Sequence, residues 1–193
     1  MDFIEPVPAV TLRESLKVRP LRRIEYDHLI ELGVFGNEKV ELLNGILVPM
    51  SPQGNRHALV IEVLTELFVT LLHRRARVRV QLPFAASAIA EPEPDIAIVP
   101  ADEPRTDHPS RALLVIEVAD SSLDYDMDKA PIYAAADVAE YWIIDVNAEA
   151  VTVHSGRESG KWTHVNRHGR GETLSLREFP DVKVPLIELF PRP

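Results

Sequence analysis

Asp95 and Glu117 are carboxylates set inside apolar runs, and Lys129 follows them in a helix-like stretch. The runs are Pro94-Asp95-Ile96-Ala97-Ile98-Val99 and Leu113-Leu114-Val115-Ile116-Glu117-Val118-Ala119, the second closed by the polar break Asp120-Ser121-Ser122. Short segments rich in Val and Ile, bounded by Pro, Ser and Asp, read as strands buried on both faces. A carboxylate on such a strand is costly, because unpaired burial either destabilises the fold or forces the acid to stay protonated. Two such acids on consecutive strands suggest one shared cation, a lysine or a divalent metal. The plainer reading is that Asp95, next to Pro94, opens its strand at the solvent edge, and that Glu117 pairs with an arginine near a strand end. For a lone strand acid that reading is favoured, since buried charge is rare. Glu117 resists it. Four apolar residues precede it, Val118 and Ala119 follow, and on a period of two it shares a face with Leu113 and Val115. Glu41, inside a third strand-like run, is a further candidate.

The elements that must position these groups can be read in order. Residues 1 to 20, rich in Pro and Val, read as an extended arm that could pack on a neighbouring subunit, and residues 21 to 193 as one domain. Residues 24 to 33 predict a helix closed by Gly33, with Tyr26, Leu29, Ile30 and Leu32 on its buried side. Strands follow over 39 to 43 and 46 to 50, joined at Asn44-Gly45, the strongest short hairpin signal. A long amphipathic helix over 57 to 74 should turn Leu59, Val60, Val63, Leu64, Leu67, Phe68 and Leu71 to a sheet. His57, at its start, reads as a capping or surface residue before a catalytic one.

A strand over 77 to 82 comes next, and Phe84 to Ile89 could continue the sheet. Residues 100 to 111 form a polar loop with three prolines. Residues 124 to 137 predict a helix in which Pro131 is a difficulty, since an interior proline removes a hydrogen bond. That helix should therefore begin effectively at Ala130 or Pro131. A strong strand over 140 to 146, a hairpin of 151 to 154 with 162 to 165, a short strand at 174 to 176 and a terminal turn seating Leu189 and Phe190 complete the chain. The order predicts an α/β domain with a mixed central sheet flanked by helices.

The totals narrow the chemistry. With 193 residues the chain can bury a real core. It has no cysteine, so a metal would be held by oxygens, with His as the possible exception, which favours Mg²⁺ or Mn²⁺ over structural zinc. No apolar run approaches a membrane span and no signal-peptide core is present, which fits a cytoplasmic protein. The net charge of −9 counts against tight, non-specific DNA binding but not against a local basic surface. Two basic clusters stand out, Lys17 with Arg19, Arg22 and Arg23, and Arg74 with Arg75, Arg77 and Arg79. For each, a solvated face or a helix C-terminus is as good a reading as a phosphate contact.

Pro94-Asp95, an apolar strand ending in Glu117-Val118, and a following helix with a lysine resemble the PD-(D/E)XK nuclease superfamily. Within it, the chain resembles the bacterial family described as putative restriction endonucleases. The matching stretches are Val40 to Pro52 with His57 after it, Glu93 to Ala97, Ile116 to Ser122, Asp126 to Tyr133 with Lys129, and Glu140 to Asp145. The likeness spans about residues 24 to 190 and implies a restriction-endonuclease-like fold. The superfamily motif places its lysine two residues after the second acid. Here that position is Ala119, and the resemblance points to Lys129 instead.

What the resemblance implies is a metal-dependent endonuclease acting on DNA. Asp95 and Glu117 would bind Mg²⁺, with Mn²⁺ as a substitute, and the carbonyl of Val118 could add an oxygen. Glu41 could orient water or join the metal's ligands, and Lys129 would bring positive charge to the phosphate. Gln81 is a weaker candidate for positioning water. Tyr133 shares a helix face with Lys129, with packing as its favoured role. Cutting both strands would be simplest for a homodimer. A second reading is a non-cleaving module of the same fold that binds nucleic acid or a protein partner, to which the negative charge and Ala119 lean. A third is a metal-dependent hydrolase of another substrate.

Overall fold

In the computed structural model, which describes residues 18–190, the apolar alternation of the chain resolves into one sheet with a layer on each face. The elements in order are α1 (Arg23–Glu31), β1 (Val40–Leu43), β2 (Ile46–Pro49), α2 (Asn55–Leu72), β3 (Ala76–Val80), β4 (Ile96–Pro100), β5 (Leu114–Ala119) and α3 (Leu123–Ala135). They continue with β6 (Glu140–Asp145), β7 (Ala150–Glu158), β8 (Lys161–Gly169), β9 (Thr173–Ser175), β10 (Lys183–Pro185) and α4 (Leu186–Leu189). Strands β3 to β8 lie side by side in that order. β5 and β6 run parallel, joined by α3, and the other neighbours are antiparallel. This is the expected α/β architecture, a mixed sheet flanked by helices in one domain. No helix among the described residues is long and apolar enough to cross a membrane.

Strand alternation sorts the core into two halves. Ile96, Ile98, Leu114, Ile116, Val118, Trp142 and Ile144 face α2, where Val60, Leu64, Phe68 and Leu72 meet them. Ala97, Val99, Val115, Ala119, Tyr141 and Ile143 face α3, which offers Ala130 and Tyr133. Glu117 shares the α3 face with Val115, as its spacing predicts, whereas Leu113 precedes the strand and packs on the α2 side. α1 and the β1–β2 hairpin form a smaller cluster through Tyr26, Val40 and Leu42.

Several expectations need correction. α3 starts at Leu123, not at Ala130, and carries Pro131 inside it. The missing N–H of Pro131 would have bonded the carbonyl of Met127, and both residues are exposed, so water can serve that carbonyl. Phe84 to Ile89 does not continue the sheet; among the described residues this stretch takes part only in an isolated bridge, Ser87 with Ala90. Leu59 is exposed rather than packed on the sheet. On α1 only Tyr26 is buried, while Ile30 and Leu32 are exposed, because the helix rests on a narrow hairpin instead of a sheet. The β7–β8 hairpin is longer than expected at both ends. Of the proposed N-terminal arm, residues 1–17 lie outside the described residues.

Candidate active site

Glu117 lies mid-face on β5, so the turn of the sheet points its carboxylate under α3. There Lys129 Nζ sits 3.0 Å from Glu117 Oε1, and the Tyr133 hydroxyl donates to the same oxygen at 2.8 Å. Lys129 and Tyr133 are four apart on α3 and share a face, as their spacing allows. Tyr133 packs in the core as favoured, and it also reaches the acid. Asp95 stands just before β4, next to β5. Its Oδ2 accepts from Val118 N at 2.8 Å and lies 2.9 Å from His57 Nε2. Its Oδ1 accepts from Gln81 Nε2 at 3.3 Å. Its backbone N–H points at Glu117 Oε2, 3.4 Å away.

Glu41 arrives from outside the main sheet. The β1–β2 hairpin is latched by Leu42 N donating to Glu91 O at 3.3 Å and Glu91 N to Leu42 O at 2.8 Å. At its turn, Gly45 has φ +79°, and a Cβ there would meet Pro20 Cβ at 2.3 Å, so glycine alone fits both the conformation and the contact. The latch brings Glu41 Oε1 to 2.9 Å from Lys129 Nζ. Tyr125 donates to the same oxygen, and Glu93 N donates to Oε2 at 3.1 Å. The sequence thus singled out four residues, Asp95, Glu117, Lys129 and Glu41, and all four meet at a cleft of about 310 Å³. Gln81 joins them through Asp95.

Other residues at the cleft were missed or set aside. His57, read as a cap, is buried against Asp95 because the first turn of α2 faces the sheet rather than solvent. Asp126 lies one turn before Lys129 and lines the cleft, held by Ser122 Oγ at 2.6 Å. The spacing of Asp126 and Lys129 on one helix face was the available signal. A helix begun at Ala130 or Pro131 leaves that pair in its entry turn, whereas α3 starts at Leu123 and holds both.

The electrostatics follow from several acids sharing one ammonium. Burial alone would push Lys129 down, but the charges of Glu117 and Glu41 outweigh it and keep the ammonium protonated. Burial pushes Glu117 well above the usual carboxylate range, with Lys129 pulling it back only in part. Burial also raises Asp126 to about 6, against the Ser122 hydrogen bond and the Lys129 charge. The two ends of the Lys129–Glu117 pair thus point opposite ways, the lysine favouring the ion pair and the glutamate resisting it. With the Glu41 and Glu117 carboxylates 2.9 and 3.0 Å away, Lys129 stays charged.

The donors present can be compared with the needs of a metal. Among the described residues no three His, Cys, Asp or Glu side chains converge as a metal cage. Mg²⁺ does not need one; it keeps several waters and takes one or two carboxylates. Glu117 Oε2 has only the long contact to Asp95 N, so this buried acid keeps an oxygen with spare capacity. The N–H and carbonyl of one strand residue point to the same side. Val118 N–H points at Asp95, and the β4–β5 pairing stops at Ile96 with Ile116, so the Val118 carbonyl is left facing the Asp95 side. Asp95, Glu117 and Val118 therefore offer a hard-oxygen set that fits Mg²⁺ or Mn²⁺.

A second cleft, of about 260 Å³, lies beyond Glu93 and is lined by Tyr26, Asp27, Glu91, Asp107 and His108. Glu91 is pushed up to about 7, first by burial and then by Asp27, with Arg23 at 3.4 Å opposing. The folded state therefore holds a proton that the unfolded chain releases near its ordinary value of about 4.3. Stability contributed by this group is highest at low pH, falls from about pH 4.5 to about pH 7, and is level above. Glu91→Gln is expected to reduce the loss of stability between pH 5 and pH 8, measured by urea unfolding, by on the order of 1–3 kcal/mol. An unchanged pH dependence would show that Glu91 titrates normally.

Strand order, a helix on each face and an acid-lined cleft beside β4 and β5 define a mixed-sheet α/β protein with one candidate active site. The fold matches the crystal structure of a putative nuclease belonging to DUF820 from Anabaena variabilis, with a TM-score of 0.70 over 89% of this chain and 98% of that one, at 14% identity. The model of the Uma2 family, described as putative restriction endonuclease, matches residues 25–186, and the chain belongs to that family. No curated protein sequence matches it.

Proposed function

We propose that the protein is a metal-dependent endonuclease that hydrolyses phosphodiester bonds in DNA. Family membership supports a nuclease-type function. The observation that carries the finer reading is the contact of one buried lysine with Glu117 and Glu41, 3.0 and 2.9 Å away, in the cleft that also holds Asp95. Asp95, Glu117 and the Val118 carbonyl would hold Mg²⁺, or Mn²⁺ in its place. The bound ion would neutralise phosphate charge and activate the attacking water.

The chain's own groups have separable tasks. Lys129 stays protonated, so it acts as fixed positive charge beside the phosphate rather than as a base. Glu41, held by Tyr125 and Glu93 N, orients water or adds a ligand oxygen. His57 and Gln81 fix the rotamer of Asp95 from two sides. Asp126, pushed up to about 6, carries a proton at mildly acidic pH within the same cleft. On this reading the protein works in the cytoplasm, and a two-fold dimer would let each subunit cut one strand.

The test is cleavage of supercoiled plasmid with Mg²⁺ or Mn²⁺ and with a chelator, beside Asp95→Ala, Glu117→Ala and Lys129→Ala. Nicked and linear products are expected from the parent with metal, and from none of the folded variants. Cutting that survives Asp95→Ala or the chelator would falsify the assignment. DNA binding that is the same with and without metal, and without cutting, would favour the non-cleaving module.

A further inference from the structure

The second basic cluster, Arg74 to Arg79, divides into two groups with different surroundings. Arg75 belongs to the end of α2. Its guanidinium bonds the carbonyls of Leu71 and Leu72 at 3.0 and 3.2 Å and pairs with Asp181 at 2.7 Å. It caps carbonyls that have no partner in the helix. Arg77 and Arg79 lie on β3, at the edge of the sheet. Strand alternation turns Ala76, Val78 and Val80 to the α2 core and these two arginines the other way.

Neither arginine has a carboxylate within 4.0 Å among the described residues. Arg77 donates Nη2 to the Glu103 carbonyl at 2.7 Å, and Arg79 donates Nη2 to the Pro83 carbonyl at 3.1 Å. The Glu103 carboxylate is instead taken up by Arg111 Nε at 2.8 Å and Ser110 N at 3.0 Å. The Nε of both arginines is buried without a partner. Burial, and then the charge of Arg77, push Arg79 below its usual value. Two half-buried cations side by side in a chain of net charge −9 are thus left without an anion.

Their direction links them to the cleft. Arg77 lies beside Val99 and Arg79 beside Ala97 on β4, and Asp95 stands two residues before Ala97; Gln81, just past the end of β3, donates to Asp95 Oδ1 at 3.3 Å. Two residues span about 7 Å of strand. The two arginines therefore stand in line along the edge strand, in the register that leads to Asp95, the acid of the candidate active site.

We infer that Arg77 and Arg79 are a contact strip for the phosphate backbone of the nucleic acid, guiding the strand toward Asp95. The inference rests on the nuclease reading and adds the residues that hold the substrate outside the cleft. Each guanidinium is held by a backbone carbonyl through Nη2 and makes no hydrogen bond through Nη1 among the described residues, which leaves that group for a phosphate oxygen. Phosphate contacts fix position without reading sequence.

The experiment is duplex DNA binding by fluorescence anisotropy over 50–200 mM salt, in chelator, comparing the whole protein with Arg77→Gln/Arg79→Gln and Arg77→Lys/Arg79→Lys. Losing two phosphate contacts should flatten the slope of log affinity against log salt by about 1.8. Between those salt concentrations, the parent should then lose about tenfold more affinity than the Gln pair. The effect should be alike on unrelated sequences, and the Lys pair should keep most of the slope. Melting temperatures of the variants establish that they fold. An unchanged slope in the folded Gln pair overturns the inference, and a parent that binds no duplex overturns it too. The plasmid assay, run apart, says whether the nuclease reading falls with it: cutting with an unchanged salt slope removes the strip alone.

Discussion

Lys129→Met is expected to lower the free energy of unfolding by roughly 3–5 kcal/mol at pH 8, measured by urea denaturation. The lysine is 3% exposed and touches Glu41 and Glu117, which are 1% and 3% exposed. Methionine fills much of the same volume, so little of the loss would come from packing. What remains is two buried carboxylates without a counter-charge, and removing one partner of a buried pair costs far more than the pair itself contributes. The sign with pH is specific. With the ammonium gone, the acids bind protons more tightly in the folded state than in the unfolded one, so the variant should recover stability as pH falls. Lys129→Arg should lose less, since it keeps the charge. If Lys129→Met unfolds like the parent at pH 8, the lysine is not the counter-ion of these acids.

Glu117→Gln is expected to abolish metal-dependent cleavage while making the protein more stable. Loss of an outer partner of a metal ligand costs about 10–100-fold, so a hundredfold or greater loss of cleavage is the expectation for a ligand itself. Stability should move the other way. Burial resists the charge on Glu117, and Glu41 remains at 2.9 Å to pair with Lys129 when Glu117 is neutral. The amide can still accept from Tyr133 and point its other end toward the cleft. A gain of roughly 1–2 kcal/mol at pH 8 is in the range of stabilising single changes, and such gains often fall at functional sites. A folded variant that keeps cutting would remove Glu117 from the chemistry. A variant that is both inactive and markedly less stable would make Glu117 a structural ion-pair partner instead.

The parts of this site that were legible in the sequence have local signals. Glu117 was visible because an acid interrupts a run of apolar residues, and only a partner or a protonated state makes that tolerable. The hairpin carrying Glu41 was visible through Asn44-Gly45, whose positive φ values are a property of the dipeptide itself. What was not legible depends on which surface another element presents. His57 looks like any first-turn residue until β4 places Asp95 beneath it. The buried side of α1 could not be told from its period, because Ile30 and Leu32 match helical spacing yet find no sheet to cover them. Pro131 misled for a similar reason: proline forbids one hydrogen bond, and the cost depends on whether water reaches the freed carbonyl, which is a matter of tertiary placement. The arginines of β3 were ambiguous until the strand's alternation separated them from Arg75.

Ala119 couples the placement of the cation to the surface of α3. It is sealed against α3, on the same face as Glu117, with Ala130 and Tyr133 in the same cluster. A strand lysine at that position and a helix lysine at 129 would aim for one pocket. Moving the cation from one place to the other cannot proceed through a neutral single replacement. Adding the strand lysine first crowds two ammoniums under the helix, and removing the helix lysine first strands two acids. The two changes are favourable only together, and the surface of α3 must be recarved to admit the longer side chain. The burial of Ala119 therefore ties the cation to the helix: a lysine on the strand is expected to be tolerated only in a protein that has lost Lys129.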